Sequence, residues 1–156
     1  MKVIPVAHPR IGEEEAKAVY DVVKSGWITM GTKVKEFENL ACSYTGAKYA
    51  VAMTNGTSSL HIALLASGIE ANDEVLVPAM TFVASAKAIS YFNAIPHFID
   101  SDINSLGIDN EKLRIYLEKN TIIKNSECFN KNTGRRIFGI IPVHIYGFIG
   151  DIKTLK

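Results

Sequence analysis

Asn55-Gly56-Thr57-Ser58-Ser59-Leu60-His61 brings together the residue types that grip an anion: a glycine, hydroxyls and a side-chain amide, placed where an apolar run meets a helical pattern. The run Tyr49-Ala50-Val51-Ala52-Met53 reads as a short buried strand, and Leu60, Ala63, Leu64 and Ser67 recur after it at helical spacing. Where a strand gives way to a helix, the first-turn N–H groups lack acceptors and carry the positive end of the dipole, so a phosphate fits there. The same residues open many helices simply as caps. On this segment alone both readings stand.

Two aromatic loops accompany it. Val77-Pro78-Ala79-Met80-Thr81-Phe82 joins an apolar run to a helical one, and Gly26-Trp27-Ile28-Thr29-Met30-Gly31-Thr32 carries the only tryptophan. Taken by itself, a large aromatic in a loop reads as a core plug, and Phe82 as a core residue opening its helix. Among the histidines, His61 falls inside a helix and should be packed, His144 follows a strand, and His8 and His97 belong to no motif. Cys42 and Cys128 have no ligand spacing around them and read as reduced thiols, so no metal site is expected.

The elements that must position these residues follow from periodicity. A helix spans Ile11 to Ser25, with Glu13, Glu14 and Glu15 at its start, Ala16, Val19, Tyr20 and Val23 on one face, and Gly26 as its stop. A second helix runs from about Lys33 to Thr45 and closes at Gly46. From Lys48 strands and helices alternate: strand Tyr49 to Met53, helix Gly56 to Gly68, strand Glu74 to Pro78, helix Val83 to Phe92, strand Ile95 to Ile99, helix Asn110 to Lys119 and strand Ile137 to Val143. Asp151 starts a last helix. This divides the chain into N-terminal helices with a loop, 1–47, and an α/β part, 48–156. Apolar strands alternating with helices make a mostly parallel sheet with helices on both faces. Right-handed crossovers then collect the strand-to-helix corners on one edge, where ligands bind, so Gly56, Phe82 and Ser101 share an edge by topology. Thr121 to Arg136 is polar, rich in asparagine, and reads as an exposed excursion with solvated charges.

Composition agrees with a globular protein: 156 residues, 47% apolar, net charge +1. No basic stripe recommends a nucleic acid or an anionic membrane as partner. No apolar run reaches membrane-spanning length and the N-terminus has no signal-type apolar region, so a cytoplasmic location is expected.

Taken together these segments resemble the DegT/StrS family of PLP-dependent sugar aminotransferases, of aminotransferase fold type I, from Ile4 onward. The resemblance rests on Gly26-Trp27-Ile28-Thr29-Met30-Gly31 with Phe37-Glu38, on Asn55 to His61, on Val77 to Ala86, on Phe98-Ile99-Asp100, and on Pro142-Val143-His144-Ile145-Tyr146-Gly147. Asn104 to Asp109, with the excursion ending at Thr133-Gly134-Arg135-Arg136, is similar to the branch serving legionaminic-type nonulosonic acids. The resemblance implies the N-terminal, incomplete portion of the fold type I large domain. It implies pyridoxal 5'-phosphate as cofactor, an amino-acid donor such as glutamate, a nucleotide-linked keto-sugar as acceptor, and a homodimer at full length.

Carried over residue by residue, Gly56, Thr57 and Ser58 would hold the coenzyme phosphate, Phe82 would stack on its ring, and Trp27, Ile28 and Thr29 would meet the nucleotide-sugar. His144 is implied to be a structural neighbour of the site. The family's coenzyme-bearing lysine and its acidic partner for the pyridine nitrogen belong to later segments; Lys87, Lys153 and Lys156 lie in helices and match neither. No catalytic residue is therefore assigned, and the chain is expected to be an N-terminal piece, inactive alone, whose strand Tyr49 to Met53 lacks partners. The alternative is a non-catalytic binding or regulatory relative that has shed the lysine. A Rossmann dinucleotide site is disfavoured, since no Gly-x-Gly-x-x-Gly follows the first strand.

Overall fold

The computed structural model describes residues 3–5 and 7–155; Lys156, assigned above to the last helix, lies outside them. The chain divides into two compact units, Met1–Ala52 and Met53–Lys156.

The first unit holds α1 (Glu13–Ser25) and α2 (Thr32–Thr45). The three glutamates open α1, and Glu15 turns back to accept the Gly12 N–H at 2.7 Å, which satisfies one orphan donor of the first turn. Gly26 and Gly46 end the helices with φ of 74° each, the left-handed geometry that favours glycine. Neither helix buries a residue fully. The expected strand Tyr49 to Met53 does not form: the run has no regular secondary structure and no strand partner among the described residues. Tyr49 and Val51 are 75% and 76% exposed, and the Ala52 N–H is taken by Glu38 Oε1 at 2.9 Å. A strand needs a neighbour's ladder, and none of the described strands offers one to this run.

In the second unit, α3 (Gly56–Ser67), β1 (Glu74–Pro78), α4 (Val83–Ser90), β2 (Ile95–Ile99), α5 (Asn110–Asn120), the hairpin strands β3 (Thr121–Lys124) and β4 (Glu127–Asn130), β5 (Ile137–Ile140) and α6 (Ile152–Leu155) follow in order. The main sheet runs β2-β1-β5, all parallel, with Glu74 level with Ile95 on one side and Ile137 on the other. Alternation along β1 sends Val75 and Val77 to one face, where they pack with Leu64 of α3 and Ala88 and Ile89 of α4. Leu76 faces the other side, with Ile99, Ile108, Leu113 of α5 and Ile137. Helices thus cover both faces, as anticipated. Pro96 lies in the outer strand β2, consistent with the confinement of proline to sheet edges.

Two expectations are corrected here. β5 ends at Ile140 rather than Val143, because Pro142 supplies no N–H and the chain turns away into a tight turn at Ile145–Gly147. The excursion Thr121 to Arg136 is largely exposed, with Lys124, Glu127, Lys131 and Arg135 at the surface, but it is not an irregular loop: its first part is the antiparallel β3–β4 hairpin. Its end is tied to the sheet by ion pairs, since Arg136 forks onto Asp73 at 2.6 and 2.8 Å.

Candidate functional site

The starts of α3 and α4 in the second unit fall on the same edge of the sheet. α3 has 12 residues, about 18 Å, and β1 has 5, about 17 Å. Leu60 and Leu64 lie along Val75 and Val77, and the short connection 68–73 returns α3 directly to the start of β1. α3 therefore runs antiparallel to β1, and its first residue, Gly56, sits at the edge where β1 ends. α4 begins there too, with Phe82 as its first flanking residue, and so does the segment after β2 that contains Ser101.

At the Gly56 corner the capping and anion readings coexist. Asn55 is extended and its Oδ1 accepts the Ser58 N–H at 2.8 Å, a helix cap in full. This consumes the Ser58 amide, one of the donors expected for an anion. The Gly56 and Thr57 amides have no acceptor within the helix. The Thr57 and Ser58 hydroxyls stand beside them, with Ser58 Oγ 3.4 Å from Thr54 Oγ1. A Cβ at Gly56 would meet no atom within 4 Å, so this face of the backbone is open to a close-lying ligand.

Phe82 is 75% exposed, which overturns its reading as a core residue. Its backbone is extended at ψ 142°, and the Thr81 hydroxyl bonds Ser85 Oγ at 2.9 Å, which orders the turn that presents the ring. Ser101 Oγ is buried without a hydrogen-bond partner among the described residues. This edge of the sheet thus presents two amides without an acceptor in their helix and an open aromatic face.

Trp27, Ile28 and Thr29 belong to the other unit. The indole is 65% exposed and is no core plug. Its Nε1–H donates to Met30 O at 3.0 Å, and the ring lies so close to Gly31 that a Cβ there would stand 2.6 Å from Trp27 Cδ1. The glycine is required by that close approach. An open groove of about 450 Å³ beside the indole is lined by Ser25, Trp27, Met30, Gly31, Thr32 and Lys35.

His61 packs against Phe92 and Tyr91, ring centres 4.7 and 5.2 Å away, as its place inside a helix suggested. His144 is exposed at the turn after β5. Next to it Tyr146 adopts φ 52°, a left-handed conformation unusual for a bulky residue, and periodicity gave no signal for it. His97, which belonged to no motif, bonds the buried Glu74 at 2.7 Å. Among the described residues no His, Cys, Asp and Glu cluster is arranged to hold a metal ion, and no helix is long and apolar enough to cross a membrane.

The model of the DegT/DnrJ/EryC1/StrS aminotransferase family matches residues 9–156. The chain belongs to that family. Among curated relatives of this chain, GDP-perosamine synthase of Caulobacter vibrioides is 36% identical over 153 residues, 97% of this chain and 37% of that enzyme. Among solved structures, Spr1654 of Streptococcus pneumoniae, assigned as a sugar aminotransferase, superposes with a TM-score of 0.79 at 31% identity. The match covers 97% of this chain and 35% of the PLP form of that protein, and a PMP form aligns equally well. A Brucella abortus aminotransferase of the same family gives 0.78 at 28% identity, over 90% of this chain and 35% of its own. The chain thus spans about a third of the length of its relatives, and its α/β fold is the corresponding part of theirs.

Proposed function

We propose that this chain forms the phosphate- and ring-binding portion of a PLP-dependent aminotransferase that aminates a nucleotide-linked keto-sugar, with an amino acid such as glutamate as donor. The observation that carries the reading is the shared sheet edge: an open helix N-terminus at Gly56 and an exposed Phe82, both in a chain of the aminotransferase family. The coenzyme, when bound, carries the amino group between donor and acceptor and draws electrons from the reacting carbon. The Gly56 and Thr57 amides, with the Thr57 and Ser58 hydroxyls, would hold its phosphate, and the helix dipole supports the negative charge. The Phe82 ring would lie against its heterocycle and exclude water from that face. Trp27, Ile28 and Thr29 would meet the nucleotide-sugar.

Biosynthesis of cell-surface polysaccharide or of a nonulosonic acid of the legionaminic type is the setting we infer, on the likeness of Asn104 to Asp109 and of the excursion that follows α5. We place the working protein in the cytoplasm as a homodimer, and we read 1–47 and 48–156 as its two structural parts. No lysine of this span is assigned to the coenzyme carbonyl. The test is to supply the full-length protein carrying this chain with PLP, L-glutamate and a set of nucleotide-linked keto-sugars, and to follow 2-oxoglutarate. Formation of 2-oxoglutarate beyond one equivalent per bound coenzyme only in the presence of a keto-sugar is expected; a protein that retains no PLP and forms none would overturn the proposal.

A further inference from the structure

The opposite edge of the same sheet carries a second constellation, built on one buried carboxylate. Glu74, the first residue of β1, has 2% of its side chain exposed and accepts hydrogen bonds on both oxygens. Its Oε2 takes His97 Nδ1 of β2 at 2.7 Å and Asn130 Nδ2 of β4 at 2.8 Å. Its Oε1 takes the Thr133 hydroxyl at 2.6 Å, with Arg135 Nη1 3.7 Å away. The His97 ring in turn meets Tyr116 of α5 edge-on, ring centres 5.3 Å apart. Residues from β2, β4, α5 and the 133–135 turn therefore converge on one group. α5 passes into β3 with no intervening loop, so whatever holds the hairpin also holds the end of that helix.

We propose that Glu74 is an acid-released clamp: ionised, it fastens the 121–136 hairpin and the adjoining end of α5 to the sheet, and neutralised, it lets that hairpin loosen about its Arg136 anchor while α3 and α4 stay packed. The donors explain the release. The Asn130 amide can only donate from the Nδ2 it presents, and the Arg135 guanidinium faces the group from 3.7 Å. A proton placed on Oε1 therefore forces the Thr133 hydroxyl to turn round, and one placed on Oε2 forces His97 Nδ1 to accept instead of donate. Asp73, next in the chain, keeps an anchor on the far end of the segment, because Arg136 grips it bidentately and also holds Glu127 of β4 at 3.0 Å. α3 and α4 have a separate support: Leu64, Val75, Val77, Ala88 and Ile89 form an apolar cluster with no member in the hairpin. The hairpin itself touches the opposite face of the sheet through Cys128.

The sign of the pH effect follows. Burial pushes the Glu74 carboxyl up, but the bonds from Thr133, Asn130 and His97 outweigh it and hold the group below its ordinary 4.5. The clamp is thus firm above that pH and gives way as pH falls through the lower native value.

Hydrogen exchange read by mass spectrometry on the full-length protein tests this, with rates corrected for intrinsic pH dependence. Peptides covering 121–136 should lose protection below pH 4.5 while those covering 56–67 and 83–90 keep theirs. Glu74→Gln should speed hairpin exchange at neutral pH by about tenfold or more. Thr133→Val removes one donor and leaves the carboxylate, so it should move the release to higher pH, and it decides the matter if the Glu74 variant does not fold. Simultaneous loss of protection in hairpin and helices, an unmoved release in Thr133→Val, or a Glu74→Gln hairpin as protected as the native one would each overturn the clamp. The test needs no turnover and does not rest on the aminotransferase reading.

Discussion

The two edges of the β2-β1-β5 sheet are finished in opposite ways. At the edge where β1 ends, Phe82 lies open, the Gly56 and Thr57 amides have no acceptor in their helix, and Ser101 Oγ is unpartnered. At the edge where β1 begins, Asp73 and Glu74 are buried and every oxygen of both carboxylates is met. Unsatisfied groups cost stability and are tolerated where something else completes them, whereas satisfied buried charge holds the fold. The contrast separates an edge proposed to bind from one that supports, within one sheet, and each can be challenged by a substitution that should leave the other alone.

The largest effect belongs to the closed edge. Arg136→Met keeps much of the side-chain volume but strips the bidentate partner from Asp73, whose side chain is 6% exposed. A buried carboxylate left in that state costs roughly 2–4 kcal/mol, measurable as a drop in the denaturant midpoint of the full-length protein. The acid limb of stability should change as well. Burial raises the Asp73 carboxyl, but the Arg136 guanidinium outweighs it and holds the group below 3.8. The native contribution is present above that value and lost as pH falls through the lower one, so the variant should show a flatter acid limb. A variant of native stability would mean that this edge supports nothing.

Much of the open edge could be read from the chain, and little of the closed one. β1 and β2 appear at their expected bounds because each is a short apolar run with clear stops, and the parallel arrangement follows from the helices between them. The corners at Gly56 and Phe82 are local features, legible from a few neighbouring residues. The Glu74 network is not local: Asn130 lies 56 positions away and the Asp73–Arg136 pair spans 63. Asparagine, glycine and charge in 121–136 signal a loop by composition, and only the partners make Asn130 and Arg136 interior groups. The run Tyr49 to Met53 fails for the complementary reason, since strand formation depends on a neighbour that composition does not reveal.

Smaller effects are expected where ligands are proposed to bind. Gly31→Ala should cost about 1–3 kcal/mol, because a Cβ 2.6 Å from Trp27 Cδ1 must expel the indole. Trp27 is the only tryptophan of these 156 residues, so with any tryptophan beyond them replaced, the emission should move to the red and its anisotropy fall. Unchanged fluorescence would separate the glycine from the placement of the ring. Asn55→Ala should cost about 1 kcal/mol through loss of the cap on the Ser58 amide. Phe82→Ala should leave stability within about 0.5 kcal/mol, given its exposure. If the ring stacks as proposed, its loss should weaken PLP binding by up to about tenfold.

Gly56→Ala is the smallest perturbation of the fold and the sharpest test of why the open edge is open. The new methyl would meet nothing within 4 Å, and no left-handed backbone angle is recorded for this residue. Alanine also costs less than glycine in a helix, so folding stability should hold or rise by a few tenths of a kcal/mol. A methyl group standing over the free amides would nevertheless occupy space that a phosphate needs. Unfolding of the full-length variant should therefore match the native protein while its PLP affinity falls, measured by titrating coenzyme absorbance. Native affinity in the variant would reduce Gly56 to an ordinary helix start and would leave the phosphate, if held there at all, to the hydroxyls of Thr57 and Ser58.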